Sequence, residues 1–130
     1  MSSESEVLSD DVKKACAQLL ERLVSESDSI ETAVLASADG LMLAGTGVDN
    51  ELDVMAAMSA SLISLADAMS SRSDGGVCNK VLAESEDSSL VVLHAGGLIL
   101  TVLGKPNANM GMVLAASRQV AEQIANIVKR

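Results

Sequence analysis

The sequence of 130 residues contains no Phe, Tyr or Trp. With them go the side chains that stack on bases, flavins and other flat ligands, which counts against a single-strand nucleic-acid binder or a stacked cofactor. Basic residues are scarce as well: nine Lys and Arg stand against eighteen Asp and Glu, a formal charge of −9. Nucleic acids and anionic membrane surfaces are bound through basic clusters, and here only Lys13-Lys14 and Lys129-Arg130 are adjacent pairs. A basic or neutral partner surface suits such a chain better. The two cysteines, Cys16 and Cys78, lie far apart with no CxxC spacing, so neither a disulfide framework nor a zinc site is indicated and free thiols are expected. The one histidine, His94, sits just before a glycine pair with no nucleophile motif around any serine, so it reads as a strand-end residue rather than a catalytic or metal-binding one. Long apolar runs are missing too. The charge-free run of residues 54 to 66 is well short of the ~20 that span a bilayer, so no membrane insertion is expected. The opening MSSESEVLSDD lacks the basic start and apolar middle of a signal peptide, which predicts a cytoplasmic protein.

What is present reads as one globular domain. Apolar residues make up 48% of the chain and charged ones 21%, with a mean hydropathy of +0.33. Residues 1–8 are expected to be a disordered tail and 9–130 a single domain. Ser9 or Asp10 caps a first helix in which Val12, Cys16, Leu19, Leu20 and Leu23 keep helical spacing as far as about Glu26. ETAVLASA and LMLAGT then form two strands, with Asp39-Gly40 predicting a two-residue hairpin turn between them. A second strand pair, SLVVLHA and LILTVLG, flanks Gly96-Gly97, and its apolar content on both faces predicts a central place in the sheet. Before it, VCNKVLAE (77 to 84) is more polar and reads as an edge strand. Asn107 or Asn109 caps a last helix carrying Val113, Ala116, Val120, Ile124 and Ile127 on one stripe.

The stretch from Glu51 to Arg72 has too much apolar surface for one neighbour. Leu52, Met55, Ser59, Leu62, Ala66 and Met69 fall on one stripe of a helix, and Val54, Met58, Ser61, Leu65 and Ala68 on a second beside it. Two stripes imply two partners, the chain's own sheet and a second subunit; a central helix buried within one domain is the plainer alternative. The first stripe, together with Val77, Cys78, Asn79 and Val81 of the edge strand, is the expected dimer interface.

Motifs for chemistry are weak. Gly45-Thr46-Gly47 lacks the third glycine and the βαβ setting of a dinucleotide site, and no GxxxxGK[ST] string exists. Glu84, Glu86 and Asp87 lack the glycine-punctuated loop of a calcium site. No catalytic residue, cofactor or metal site is predicted.

The order of elements and several strings together resemble the Roadblock family, in particular its prokaryotic MglB-like branch. They are VLASADGLMLA (34 to 44), the small-and-apolar helix 51 to 72, the strand 77 to 84 and ANMGMVLAASRQVAEQI (108 to 124). The resemblance spans nearly all of residues 10 to 128. It implies an α+β fold of order α-β-β-α-β-β-β-α, with a five-stranded antiparallel sheet carrying the central helix on one face and the terminal helices on the other. It also implies a homodimer, built on the central helix and the strand after it, that acts as a GTPase-activating or co-regulatory partner of a small Ras-like GTPase. A dimeric scaffold in a signalling or motor complex is the alternative. Asp53, Ala60, Ser64, Asp67, Ser71 and Arg72, on the helix's outward arc and its end, are the expected GTPase contacts. Arg72 also has a plainer reading, a cation favoured by the helix dipole.

Overall fold

A computed structural model of the chain describes residues 8–47 and 49–129. The expected tail lies outside the described residues except for Leu8, which is half-buried against the core. Val48, in the link to the central helix, and Arg130 lie outside them as well. The elements run α1 (Asp10–Glu26), β1 (Ile30–Ala36), β2 (Met42–Thr46), α2 (Asp49–Arg72), β3 (Lys80–Glu84), β4 (Ser89–Ala95), β5 (Leu98–Gly104) and α3 (Met110–Val128). The five strands form one antiparallel sheet in the order β2-β1-β5-β4-β3. This is the α+β order expected from the sequence.

Helix starts follow the cap rules. The Ser9 side chain accepts the amide of Val12, with Asp10 and Asp11 in the positive first turn of α1. Asn109 Oδ1 accepts the amides of Gly111 and Met112 and opens α3. Alternation along β1 explains why the sheet is covered twice. Ala33 and Leu35 join Cys16, Leu20 and Leu23 of α1 and Val113, Val120 and Ile124 of α3 in one core, whereas Val34 and Ala36 pack with Leu52 and Ala56 of α2 in another. β5 lies at the centre and is buried at every position but Leu103. The two edges are β2 and β3.

Turn chemistry divides the two hairpins. Gly96 and Gly97 both adopt positive φ (62° and 85°) in a two-residue turn between Ala95 and Leu98, as expected. A Cβ on Gly96 would come within 2.8 Å of the Ala125 Cα, so this glycine also lets the turn lie against α3. The first hairpin departs from expectation. The Gly40 amide donates to the Ser37 carbonyl and the Ser37 amide to the Leu41 carbonyl, so the loop is Ala38-Asp39-Gly40, and only Gly40 takes positive φ (92°). A three-residue loop with glycine in the last position satisfies the same Asp-Gly pattern.

A second departure concerns the edge strand, which starts at Lys80 rather than Val77. Residues 73–79 form the connection instead. Gly75 N donates to the Ser70 carbonyl at the end of α2, Asp74 takes a left-handed φ of 62°, and the Cys78 amide donates to Asp67 Oδ1 at 2.6 Å.

Candidate functional site

Helix α2 passes the length and composition test for crossing a bilayer, with a mean hydropathy of 1.4 over its best window, but lies across the sheet. It packs mainly over β2, β1 and β5. Small residues set that approach. Leu52, Ala56, Ser59, Ala60 and Ile63 are its buried positions, and a Cβ on Gly40 would sit 3.2 Å from the Ala57 Cα. Other large side chains point elsewhere: Val54 is 54% exposed, Met58 65%, Leu65 62% and Met69 64%. For a helix in a single-domain core this is a large apolar surface left facing solvent.

Helix α2 covers the β3–β4 half of the same sheet face less fully: Ala60 and Ile63 cluster with Val92 and Ile99, and Leu62, Val81 and Leu90 pack against them. Between this half and α2 runs an open apolar groove of about 700 Å³, walled by Met55, Met58, Leu62 and Leu65 on the helix and by Ala83, Leu90, Val92 and Leu103 on the sheet. At its floor the Thr101 hydroxyl donates to Ser59 Oγ, while Ser89, also in the lining, has its Oγ buried without a hydrogen-bond partner among the described residues. The lining contains no His, Cys, Asp, Glu, Lys or Arg, and its walls are apolar.

The expected dimer residues divide on this geometry. Met55, Leu62 and Ala66 are half-buried and Met69 is exposed, on the groove side of α2. Leu52, at 2% exposure, and Ser59, at 5%, are not available to a second subunit, because they face the chain's own sheet. In their place the groove edge carries Met58 and Leu65, which belong to the stripe assigned to the sheet. Size was the missed signal: the positions that meet the sheet, Leu52, Ala56, Ser59, Ala60 and Ile63, include three small residues and share only Leu52 and Ser59 with the first stripe and none with the second. Val77 and Asn79 are exposed and Cys78 half-buried, all in the connection before β3, and Val81 is half-buried on β3 itself.

The expected GTPase contacts divide similarly. Asp53, Ser64 and Ser71 are exposed and recur at helical spacing along the flank of α2 away from the groove, and Arg72 is exposed at its end. Ala60 is buried at 7% exposure and is withdrawn from any partner. Asp67 is half-buried, with one carboxylate oxygen committed to the Cys78 amide.

Elsewhere the site chemistry is quiet. Among the described residues no three His, Cys, Asp or Glu side chains converge as metal ligands. His94 is exposed at the end of β4. Burial pushes the Cys16 thiol above its usual pKa, while Cys78 Sγ donates to the Lys80 carbonyl at 3.4 Å.

The sequence pattern that defines the Roadblock/LC7 domain matches residues 16–104. Comparison with curated proteins by sequence returns no match. Among solved structures, a Roadblock/LC7 domain from Streptomyces avermitilis is 29% identical, with a TM-score of 0.81 over 88% of this chain and 98% of that one. The gliding protein MglB of Thermus thermophilus is 21% identical, with a TM-score of 0.83 over 95% of both chains. Myxococcus xanthus MglB shares the fold at 13% identity, with a TM-score of 0.84 over 95% of this chain and 94% of that one.

Proposed function

The chain belongs to the Roadblock/LC7 domain family, and from that premise we propose that it is a homodimeric, non-catalytic regulator of a small Ras-like GTPase in the cytoplasm. The observation that carries the dimer is the groove beside α2: exposed Met58 and Leu65 line an apolar opening beside the β3–β4 half of the sheet, and a second α2 fills it. The free edge of β3 continues that interface, as Lys80 and Glu84 are the only charges on the strand. The GTPase binds on the outward flank of the paired helices, through Asp53, Ser64 and Ser71. Against a chain of net charge −9 its contact surface is basic, and that charge speeds the encounter.

A pull-down from native lysate with the tagged protein tests this reading, run once with excess GDP and once with a non-hydrolysable GTP analogue. The expected result is a small GTPase enriched only with the GTP analogue, followed by a changed hydrolysis rate in a turnover assay. The same partners in both nucleotide states would replace the regulator by the scaffold.

A further inference from the structure

One end of the sheet carries a local excess of negative charge. The strand register sets Ile30 and Ser89 on either side of Gly104, and Glu84 beside Ser89, so the α1–β1 link, the β3–β4 turn and the β5–α3 loop all lie at that end. The Lys105 amide ties the link to the loop by donating to the Ser29 carbonyl at 2.8 Å. Asp28, Glu31, Glu84, Glu86 and Asp87 are exposed there, with Lys105 as the one base in these loops. Between the turn and the β5–α3 loop lies a recess of about 270 Å³, walled by Glu84 and Glu86 on one side and by Lys105 and Asn107 on the other, with Ser89 in its lining. Among the described residues the one ion pair is Arg22–Glu26 on α1, so neither wall of the recess is neutralised by the other.

An acidic turn alone would be a solvated surface, but Ser89 sets this one apart. It falls on the same face of β4 as Val91, Leu93 and Ala95, which belong to the core beneath α1 and α3, so its side chain turns away from the α2 groove. A Cβ on Gly104 would overlap Ser89 Oγ and lie 3.5 Å from the Ala108 Cβ, which puts the hydroxyl beside the loop wall of the recess. Ser89 is 8% exposed, and its hydroxyl has no hydrogen-bond partner among the described residues. A buried hydroxyl left unpaired costs stability, and a donor entering the recess relieves that cost.

We propose that this recess takes an arginine side chain presented by a basic segment of a partner protein, the guanidinium donating to the Glu84 and Glu86 carboxylates and to Ser89 Oγ. A planar fork of N–H donors matches two carboxylates and a hydroxyl better than the compact ammonium of lysine does. A metal ion fits less well, since no three His, Cys, Asp or Glu side chains converge among the described residues. The recess also holds far more than the roughly 15 Å³ that a single water needs. Asp28, Glu31 and Asp87 around it draw a basic segment to this end of the molecule. The site lies on the α1–α3 side of the sheet, away from the α2 groove, and its failure would leave the dimer and GTPase reading untouched.

Amide NMR of the full chain tests it with an acetylated, amidated Gly-Gly-Arg-Gly-Gly peptide and with the same peptide carrying citrulline, the uncharged counterpart of arginine. The arginine peptide should shift the amides of residues 84–89 and 105–110 saturably, and the citrulline peptide should bind at least about tenfold more weakly. Glu84→Gln combined with Glu86→Gln should weaken the arginine peptide by a similar factor, whereas Lys105→Met, which removes a like charge, should tighten it about twofold. Ser89→Ala separates a ligand site from packing: freed of an unpaired hydroxyl, the chain should unfold at a higher urea concentration, while the arginine peptide binds about fivefold more weakly. No binding, equal binding of the two peptides, shifts confined to other parts of the chain, or an affinity unchanged by Ser89→Ala overturns the site.

Discussion

On one face of the sheet α1 and α3 lie side by side over a core that includes Leu20, Leu35, Val91, Leu100 and Ile124, each at 1% exposure or less. On the other face α2 lies alone over β2, β1 and β5, and the surface beside it is an open groove edged by Met58 and Leu65. The first face is complete within one chain. The second has the same apolar character with one helix fewer, and it leaves apolar surface open to solvent.

The sharpest way to break this comparison is to truncate one residue on each side. Leu20→Ala, at 0% exposure, removes packing on the closed face and should lower the unfolding free energy by about 3 kcal/mol in a urea titration. Leu65→Glu, at 62% exposure, should leave the unfolding of the isolated chain within about 0.5 kcal/mol of wild type. Its effect belongs to association, where burying a charge in an apolar groove should raise the dimer dissociation constant by roughly thirtyfold or more in sedimentation. If Leu65→Glu unfolded the chain as Leu20→Ala does, the two faces would not differ in kind. The smallest effect lies at the end of α2, where Asp74 holds a left-handed φ of 62°. Glycine tolerates that conformation, and removing an acid from the negative end of a helix is also favourable, so Asp74→Gly should raise the thermal midpoint by the equivalent of ~0.5–1 kcal/mol. Association should not change, because Asp74 lies beyond the groove.

Much of the closed face was legible in the sequence because its signals are local. Ser9 and Asn109 cap their helices through side-chain oxygens on neighbouring amides, and Gly96-Gly97 meets the need of a two-residue turn for two positive φ values. Polar Lys80 and Glu84 marked β3 as an edge. What failed depended on tertiary fit. Asp39-Gly40 serves a two-residue or a three-residue loop equally well, and the register between β1 and β2, which shifts between Leu35 and Ala36, selects the latter. Val77 and Cys78 look like the start of a strand, but the Asp67 carboxylate takes the Cys78 amide and holds it in the connection. The orientation of α2 was least legible. Hydropathy cannot rank Leu52 and Ala56 against Met58 and Leu65, whereas the close approach of the helix to Gly40 and Gly45 favours the smaller stripe.

A core assembled from Leu, Ile, Val and Ala, with Cys16 and a few Ser and Thr, has an optical consequence. Without Phe, Tyr or Trp, the protein contributes almost nothing to near-ultraviolet absorbance and has no intrinsic fluorescence of its own. In a complex those signals belong to the partner, so a tyrosine or tryptophan at the partner's contact surface reports docking against a dark background. The same absence leaves the exposed His94 imidazole as the one source of ring currents in the free chain, so a methyl far from it that shifts strongly upfield on binding lies beneath a ring supplied by the other molecule.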